Sequence, residues 1–80
     1  MRLDKYLKVS RLIKRRTVAN EACDAGRIVV NGKVARASYE VKEQDVIEIN
    51  MGLKPLKVKV MKLAEHVTKD TASDNYAIMQ

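Results

Sequence analysis

Asn31-Gly32 stands between two short β-prone runs, Arg27-Ile28-Val29-Val30 and Lys33-Val34-Ala35-Arg36. A two-residue hairpin loop needs positive φ at both central positions, and asparagine followed by glycine tolerates this well. A tight antiparallel hairpin over 27–36 is therefore expected. The residues before it have a different period. Leu3, Tyr6 and Leu7 recur at helical spacing, with Asp4 in the first turn, where a negative charge suits the helix dipole. A short helix over residues 2–9 follows, with Lys5 and Lys8 turned away from the apolar stripe. Residues 10–16 read as a basic connector anchored by Leu12 and Ile13. Thr17 reads as the N-cap of a second helix. Its buried side is expected to be Val18, Ala19, Ala22 and Cys23, and its wet side Asn20, Glu21 and Asp24. Gly26 sits where a left-handed C-cap residue ends a helix.

Beyond the hairpin, residues 40–44 read as a loop, 45–50 as a third strand and 51–55 as a turn. Residues 56–63 alternate, with Leu56, Val58, Val60 and the neighbourhood of Met61 toward the core. The lysines between them face water and guard an exposed edge. The tail, 65–80, is polar; Ala72, Tyr76 and Ala77 allow at most one or two helical turns after Asp70 or Thr71. The expected fold is α+β. Two short N-terminal helices pack on a small, mostly antiparallel sheet of three to four strands. One domain spans 1–64 and a short polar tail spans 65–80. Eighty residues can bury one modest core.

Charge is distributed unevenly along this frame. The first 36 residues carry ten Lys or Arg against three acids, whereas 37–64 balance to +1 and 65–80 to −2. Arg11, Lys14, Arg15 and Arg16 place four cations in six positions, where they repel one another unless solvent or a polyanion faces them. Joined by Arg2, Lys5, Arg27, Lys33 and Arg36, they predict an RNA-binding face. Arginine suits its tight points because its planar fork holds phosphate bidentately. Arg16 precedes the second helix, whose N-terminal amides and Thr17 hydroxyl are further phosphate donors. Asn20 and Asn31 offer amides to ribose or phosphate, although the turn explains Asn31 equally well. Arg2 either pairs with Asp4 or Glu21 or stands beside Arg16 on the RNA face. Asp4 itself reads as structural, orienting a neighbouring arginine or favouring the helix start. Only Tyr6, Tyr39 and Tyr76 are aromatic, so the expected grip is phosphate contact and shape rather than stacking of bases.

Nothing in the chain points to catalysis. Cys23 is the sole cysteine, so neither an internal disulfide nor a cysteine zinc cluster is expected, and it reads as a buried apolar side chain. His66 has no nucleophile or metal-ligand companion. Glu40, Glu43, Asp45 and Glu48 are spread over a loop and a strand, with no paired acid and base. No glycine-rich phosphate loop is present. The expectation is a protein with no catalytic residue, cofactor or metal. The chain lacks an apolar run able to span a bilayer and a signal-peptide core, so a cytoplasmic location without membrane contact is expected.

Arg2-Leu3-Asp4-Lys5-Tyr6-Leu7, then Ser10-Arg11, then Gly26-Arg27-Ile28-Val29-Val30-Asn31-Gly32-Lys33 resembles the S-four-type, or alpha-L, RNA-binding domain over roughly residues 1–50. The resemblance implies that the second helix, the basic loop before it and the hairpin form an RNA-binding surface. Relatives usually carry glycine just before the aspartate that opens the third strand; here Gln44 stands there, implying a different or slightly strained turn. The free-standing members include ribosome-associated quality-control proteins related to the fifteen-kilodalton heat-shock protein. Similarity to them implies a ribosome-associated monomer that binds ribosomal RNA of the large subunit and peptidyl-tRNA. It would hold the tRNA while a tRNA-recruiting tailing factor extends the stalled chain. Three other readings stay open at this point. They are a ribosome-assembly or small-subunit factor, a specificity module of an RNA-modifying complex, and a binder of an acidic protein or anionic membrane.

Overall fold

A computed structural model describes residues 1–63 and 75–79. Helix α1 spans Leu3–Val9 and α2 spans Arg16–Asp24. Five strands follow, β1 Ile28–Val30, β2 Lys33–Val34, β3 Val46–Ile49, β4 Leu56–Val60 and β5 Tyr76–Met79. They form one antiparallel sheet in the order β2-β1-β3-β4-β5.

The predicted hairpin is present. Asn31 and Gly32 have φ of 52° and 84°, and Val30 pairs with Lys33 across the turn. Both positive values mark the turn whose twist matches its strands. Gly26, at φ 76°, ends α2 as expected: its N–H reaches the Cys23 carbonyl and that of Arg27 reaches Ala22, both at 3.0 Å.

The start of α2 differs. Arg15, in extended conformation, is the N-cap and contributes no side-chain bond, so Thr17 lies inside the first turn. A hydroxyl cap is worth only about 1 kcal/mol, and the tie between Arg16 and Asp4 (3.3 Å) is available one residue earlier. Val18 is also out of place. It is 36% exposed, so the buried side of α2 is Ala19, Ala22 and Cys23 alone.

The core lies between the helices and one sheet face. Leu3, Tyr6 and Leu7 of α1 pack with the inward row Val30, Ile47 and Val58, which are mutual partners across three strands. Period-two alternation places these apolar residues inward while Glu48 and Lys57 pair on the outer face. Ala35, Ala37 and Val41 bury the segment after the hairpin against the same core.

The fifth strand corrects the expected sheet of three to four strands, and residues 76–79 are extended rather than helical. Strand β5 pairs with four residues of β4, from Val60 with Tyr76 to Lys57 with Met79. Lys57 and Lys59 therefore sit on an interior strand and guard no edge. The unpaired backbone of β4 attracts the tail, and the Asn75 carbonyl pins its entry. That oxygen accepts the Tyr6 hydroxyl at 2.6 Å and the Met61 and Lys62 N–H groups at 2.8 and 3.2 Å. His66 and Ala72 lie outside the described residues. No helix among the described residues is long and apolar enough to cross a membrane.

Candidate nucleic-acid interface

Asp4 organises the cationic end of the molecule. It lies in the first turn of α1, where the packing of α1 on α2 leaves its residue only 2% exposed. Its Oδ1 accepts the Lys5 N–H at 2.8 Å and Arg2 Nε at 3.2 Å. Its Oδ2 accepts a terminal Arg2 nitrogen at 3.3 Å and Asn20 Nδ2 at 3.4 Å, and lies 3.3 Å from Arg16 Nε. Burial alone raises the Asp4 pKa. The hydrogen bonds from Asn20, Arg16 and the Lys5 amide, with the charge of Arg16, outweigh that burial and hold it below its ordinary value of 3.8. The carboxylate is therefore charged and fixes two guanidinium groups, one from the residue that caps α1 and one from the first residue of α2.

Both arginines remain about half exposed, at 48% and 49%. Each keeps N–H donors beyond those on Asp4, because a guanidinium has five. A cleft of about 370 Å³ opens here, lined by Asp4, Arg16, Thr17, Asn20 and Glu21. The alternatives for Arg2 thus merge: it pairs with Asp4 and stands beside Arg16. Lys5 is half-buried on the next position of α1.

The connector leads from α1 to Arg16. Ser10 closes α1 through its hydroxyl, which donates to the Tyr6 carbonyl at 2.7 Å. Arg11 follows at φ 62°, its N–H on the Lys8 carbonyl at 3.1 Å. Ile13 is buried and Leu12 packs at the margin of the core, which leaves Arg11, Lys14 and Arg15 pointing outward. None of these three pairs with an acid among the described residues. A left-handed arginine costs on the order of 1 kcal/mol relative to glycine, so the chain holds a charge where backbone economy favours none.

The hairpin contributes unevenly. Lys33 and Arg36 are exposed, pair with no described acid and line a groove of about 670 Å³. Asn31 serves the fold instead of the surface: its Nδ2 donates to Asp45 Oδ1 and its Oδ1 accepts the Val46 N–H, both at 3.0 Å. Asp45 also accepts the Tyr39 hydroxyl at 3.1 Å and the Lys42 N–H at 3.0 Å. Burial, that bond and the carboxylate charge push the Tyr39 phenol up. Arg27 lies past the far end of α2, whose axis rises about 12 Å from Arg16 to Asp24 at 1.5 Å per residue. It borders a separate hollow with Val18, Ala25 and Met51. The structure therefore gathers Arg2, Arg16, Thr17 and Asn20 around Asp4, leaves Arg11, Lys14 and Arg15 exposed on the connector that precedes Arg16, and keeps Arg27 apart. Sequence reasoning missed the groove residues Val34, Ser38 and Tyr39. Cys23 is buried on the inner side of α2, and burial, with the charges of Asp4 and Asp24, pushes its thiol up to about 11.

Residues 1–47 match the S4 domain family model. The chain is 53% identical over 79 residues to the RQC P-site tRNA stabilizing factor of Streptococcus pneumoniae, covering 99% of this chain and 90% of the relative. It is 49% identical over 80 residues to the protein of the same name from Bacillus subtilis, covering 100% and 93%. Among solved structures, the trimeric Heat Shock Protein 15 of Vibrio cholerae superposes with a TM-score of 0.92 at 25% identity, covering 99% of this chain and 81% of that one. The family model matched over 1–47 and the half-identical relatives together place this chain in the S4 domain family, alongside the RQC P-site tRNA stabilizing factors.

Proposed function

We propose that this chain is a non-catalytic RNA-binding factor of ribosome-associated quality control. It binds the large ribosomal subunit that still carries peptidyl-tRNA from a stalled ribosome. It touches ribosomal RNA and tRNA together and keeps the tRNA in place while a tRNA-recruiting tailing factor extends the stalled chain. Its relatives' shared name, RQC P-site tRNA stabilizing factor, supports the pathway and the tRNA. The observation that carries the mechanism is the buried Asp4 carboxylate holding Arg2 and Arg16. Phosphate contact with a flexible lysine fixes little, whereas two pinned guanidiniums present fixed donors. That suits holding one RNA against another, which requires position as well as attraction.

On this reading the protein acts at the ribosome in the cytoplasm as a monomer; light scattering should return a single-chain mass.

Sucrose-gradient sedimentation tests the function. The wild-type chain should co-sediment with large subunits bearing peptidyl-tRNA in preference to empty subunits. Arg16→Ala should release it while lowering the melting temperature only slightly, because Arg16 is half exposed and Asp4 keeps Arg2, Asn20 and the Lys5 amide. Affinity should fall with salt at a logarithmic slope of about 0.7–0.9 per phosphate neutralised. Equal binding to empty subunits, or affinity indifferent to salt, contradicts the reading.

A further inference from the structure

We infer that the groove beside the β1–β2 hairpin receives one unstacked RNA base. The inference rests on the RNA reading above and departs from a grip made of phosphate contacts alone. Val30 and Ala35 are buried and form the apolar floor, while Val34, 65% exposed, forms a wall that the fold leaves open to water. The half-buried Tyr39 ring lines the same groove, with its hydroxyl held by Asp45 Oδ2 at 3.1 Å. A ring fixed in this way contributes contact area with little further loss of rotamer freedom. Lys33 and Arg36 stand at the rim without an acidic partner among the described residues.

This combination selects a ligand class. A phosphate held by cations needs no apolar recess. A nucleotide presents an anion and, within reach of it, a flat ring with two apolar faces, which matches a cationic rim over an aromatic and aliphatic floor. The volume of about 670 Å³ falls in the range of roughly 300–1,000 Å³ usual for small-ligand sites. Location supports the same occupant. The Leu3 N–H donates to the Tyr39 carbonyl at 2.8 Å and the Asp4 N–H to that of Ala37 at 3.2 Å. The groove therefore adjoins the Asp4 cluster, so a strand whose phosphates lie on Arg2 and Arg16 can turn one base into it.

Two hairpin RNAs, identical except for a single bulged nucleotide, separate base capture from phosphate attraction. One carries adenosine in the bulge and the other an abasic residue of the same charge. The full chain should bind the adenosine form about tenfold more tightly, in line with roughly 1–3 kcal/mol per stacked base, and only that form should shift the backbone amides of Val34, Arg36 and Tyr39. Val34→Ser, on an exposed edge, should erase most of that advantage while leaving abasic affinity unchanged. Equal binding of the two RNAs, with amides of α2 still shifted, overturns the base site and leaves the RNA reading standing. Failure of both RNAs to bind at low salt overturns the base site and the RNA reading together.

Discussion

Replacing Asp4 by asparagine sets charge against position. The substitution keeps the size of the side chain and raises the net charge from +6 to +7. If attraction of phosphate to positive charge were the whole mechanism, the variant would bind RNA more tightly. The geometry predicts the opposite. Asp4 accepts from Arg2, Asn20 and the Lys5 amide and pairs with Arg16, and an amide offers one oxygen where the carboxylate offers two. Arg2 and Arg16 then regain rotamer freedom that RNA must remove. Immobilising such a side chain costs about 0.5–1.5 kcal/mol, so the pair costs about 2 kcal/mol, or roughly thirtyfold in affinity.

Folding stability should fall as well, but moderately. Both arginines are half exposed and return to water, so each pair contributes on the scale of an exposed bridge, ~0.2–1 kcal/mol. Weakening the Lys5 amide bond adds about 1 kcal/mol. A total near ~2 kcal/mol lowers the melting temperature by about 10 °C in a domain of this size. Fluorescence anisotropy at 10 °C on a labelled tRNA, with melting followed by circular dichroism, measures both effects. The slope of affinity against salt should change little, because the number of cations on phosphate is unchanged. The pH dependence supplies a check. The folded-state pKa of Asp4 is depressed, so its contribution is complete above 3.8 and is lost as pH falls through the lower folded value. Wild-type and Asp4→Asn stabilities should converge in that acid window. Affinity equal to or above wild type at low temperature would refute the positional mechanism outright.

Two further outcomes are expected. Gln44 occupies φ 76° while its N–H bonds the Val60 carbonyl at 2.9 Å, so Gln44→Gly should relieve left-handed strain and raise stability by about 0.5–1 kcal/mol; a lower melting temperature counts against strain at this turn. Tyr6→Phe removes the 2.6 Å bond to the Asn75 carbonyl, and at about 1 kcal/mol it should speed hydrogen exchange several-fold in β5 and leave α2 unchanged; uniform acceleration would mean that Tyr6 supports the whole core instead of the tail.

The parts of the fold that were legible are those decided by neighbours in sequence. Asn31-Gly32 requires positive φ whatever surrounds it, and Gly26 ends α2 through bonds to residues three and five positions earlier. Strand β5 was illegible because its conformation depends on a distant edge. Tyr76 and Ala77 read as weakly helical alone, but Tyr76 meets Val60 and the Asn75 carbonyl meets Tyr6, 69 residues away. The same distinction runs through the site. The charge of Arg11, Lys14, Arg15 and Arg16 is plain in the sequence, whereas the separation of Arg27 from Arg16 depends on the length of α2. Gln44 was the sharpest local clue, since the positive φ that glycine normally supplies is kept by a residue poorly suited to it. The groove is not legible in the sequence because the number of aromatic residues does not tell where one ring is fixed. A single ring matters once Asp45 fixes it, and that bond depends on how the 35–45 segment folds back.

The two buried acids show how a face of like charges is kept in shape without RNA. Asp4 and Asp45 are the acids buried among the described residues, and each is saturated by donors from separate segments. An acid on the outer surface of this face, where exposed Glu21 lines the cleft, competes with phosphate for the arginines. An acid beneath them offsets their mutual repulsion and leaves the outward N–H groups available. Asp45 does a related job without a cationic partner: it ties Asn31, Tyr39 and the Lys42 amide, which fixes the hairpin and the groove beside it. Total charge then decides how strongly RNA is drawn in, and the placement of two carboxylates decides where it can come to rest. A protein that must hold a tRNA against ribosomal RNA needs the second property more than the first, because the ribosome offers phosphate everywhere and only one correct position.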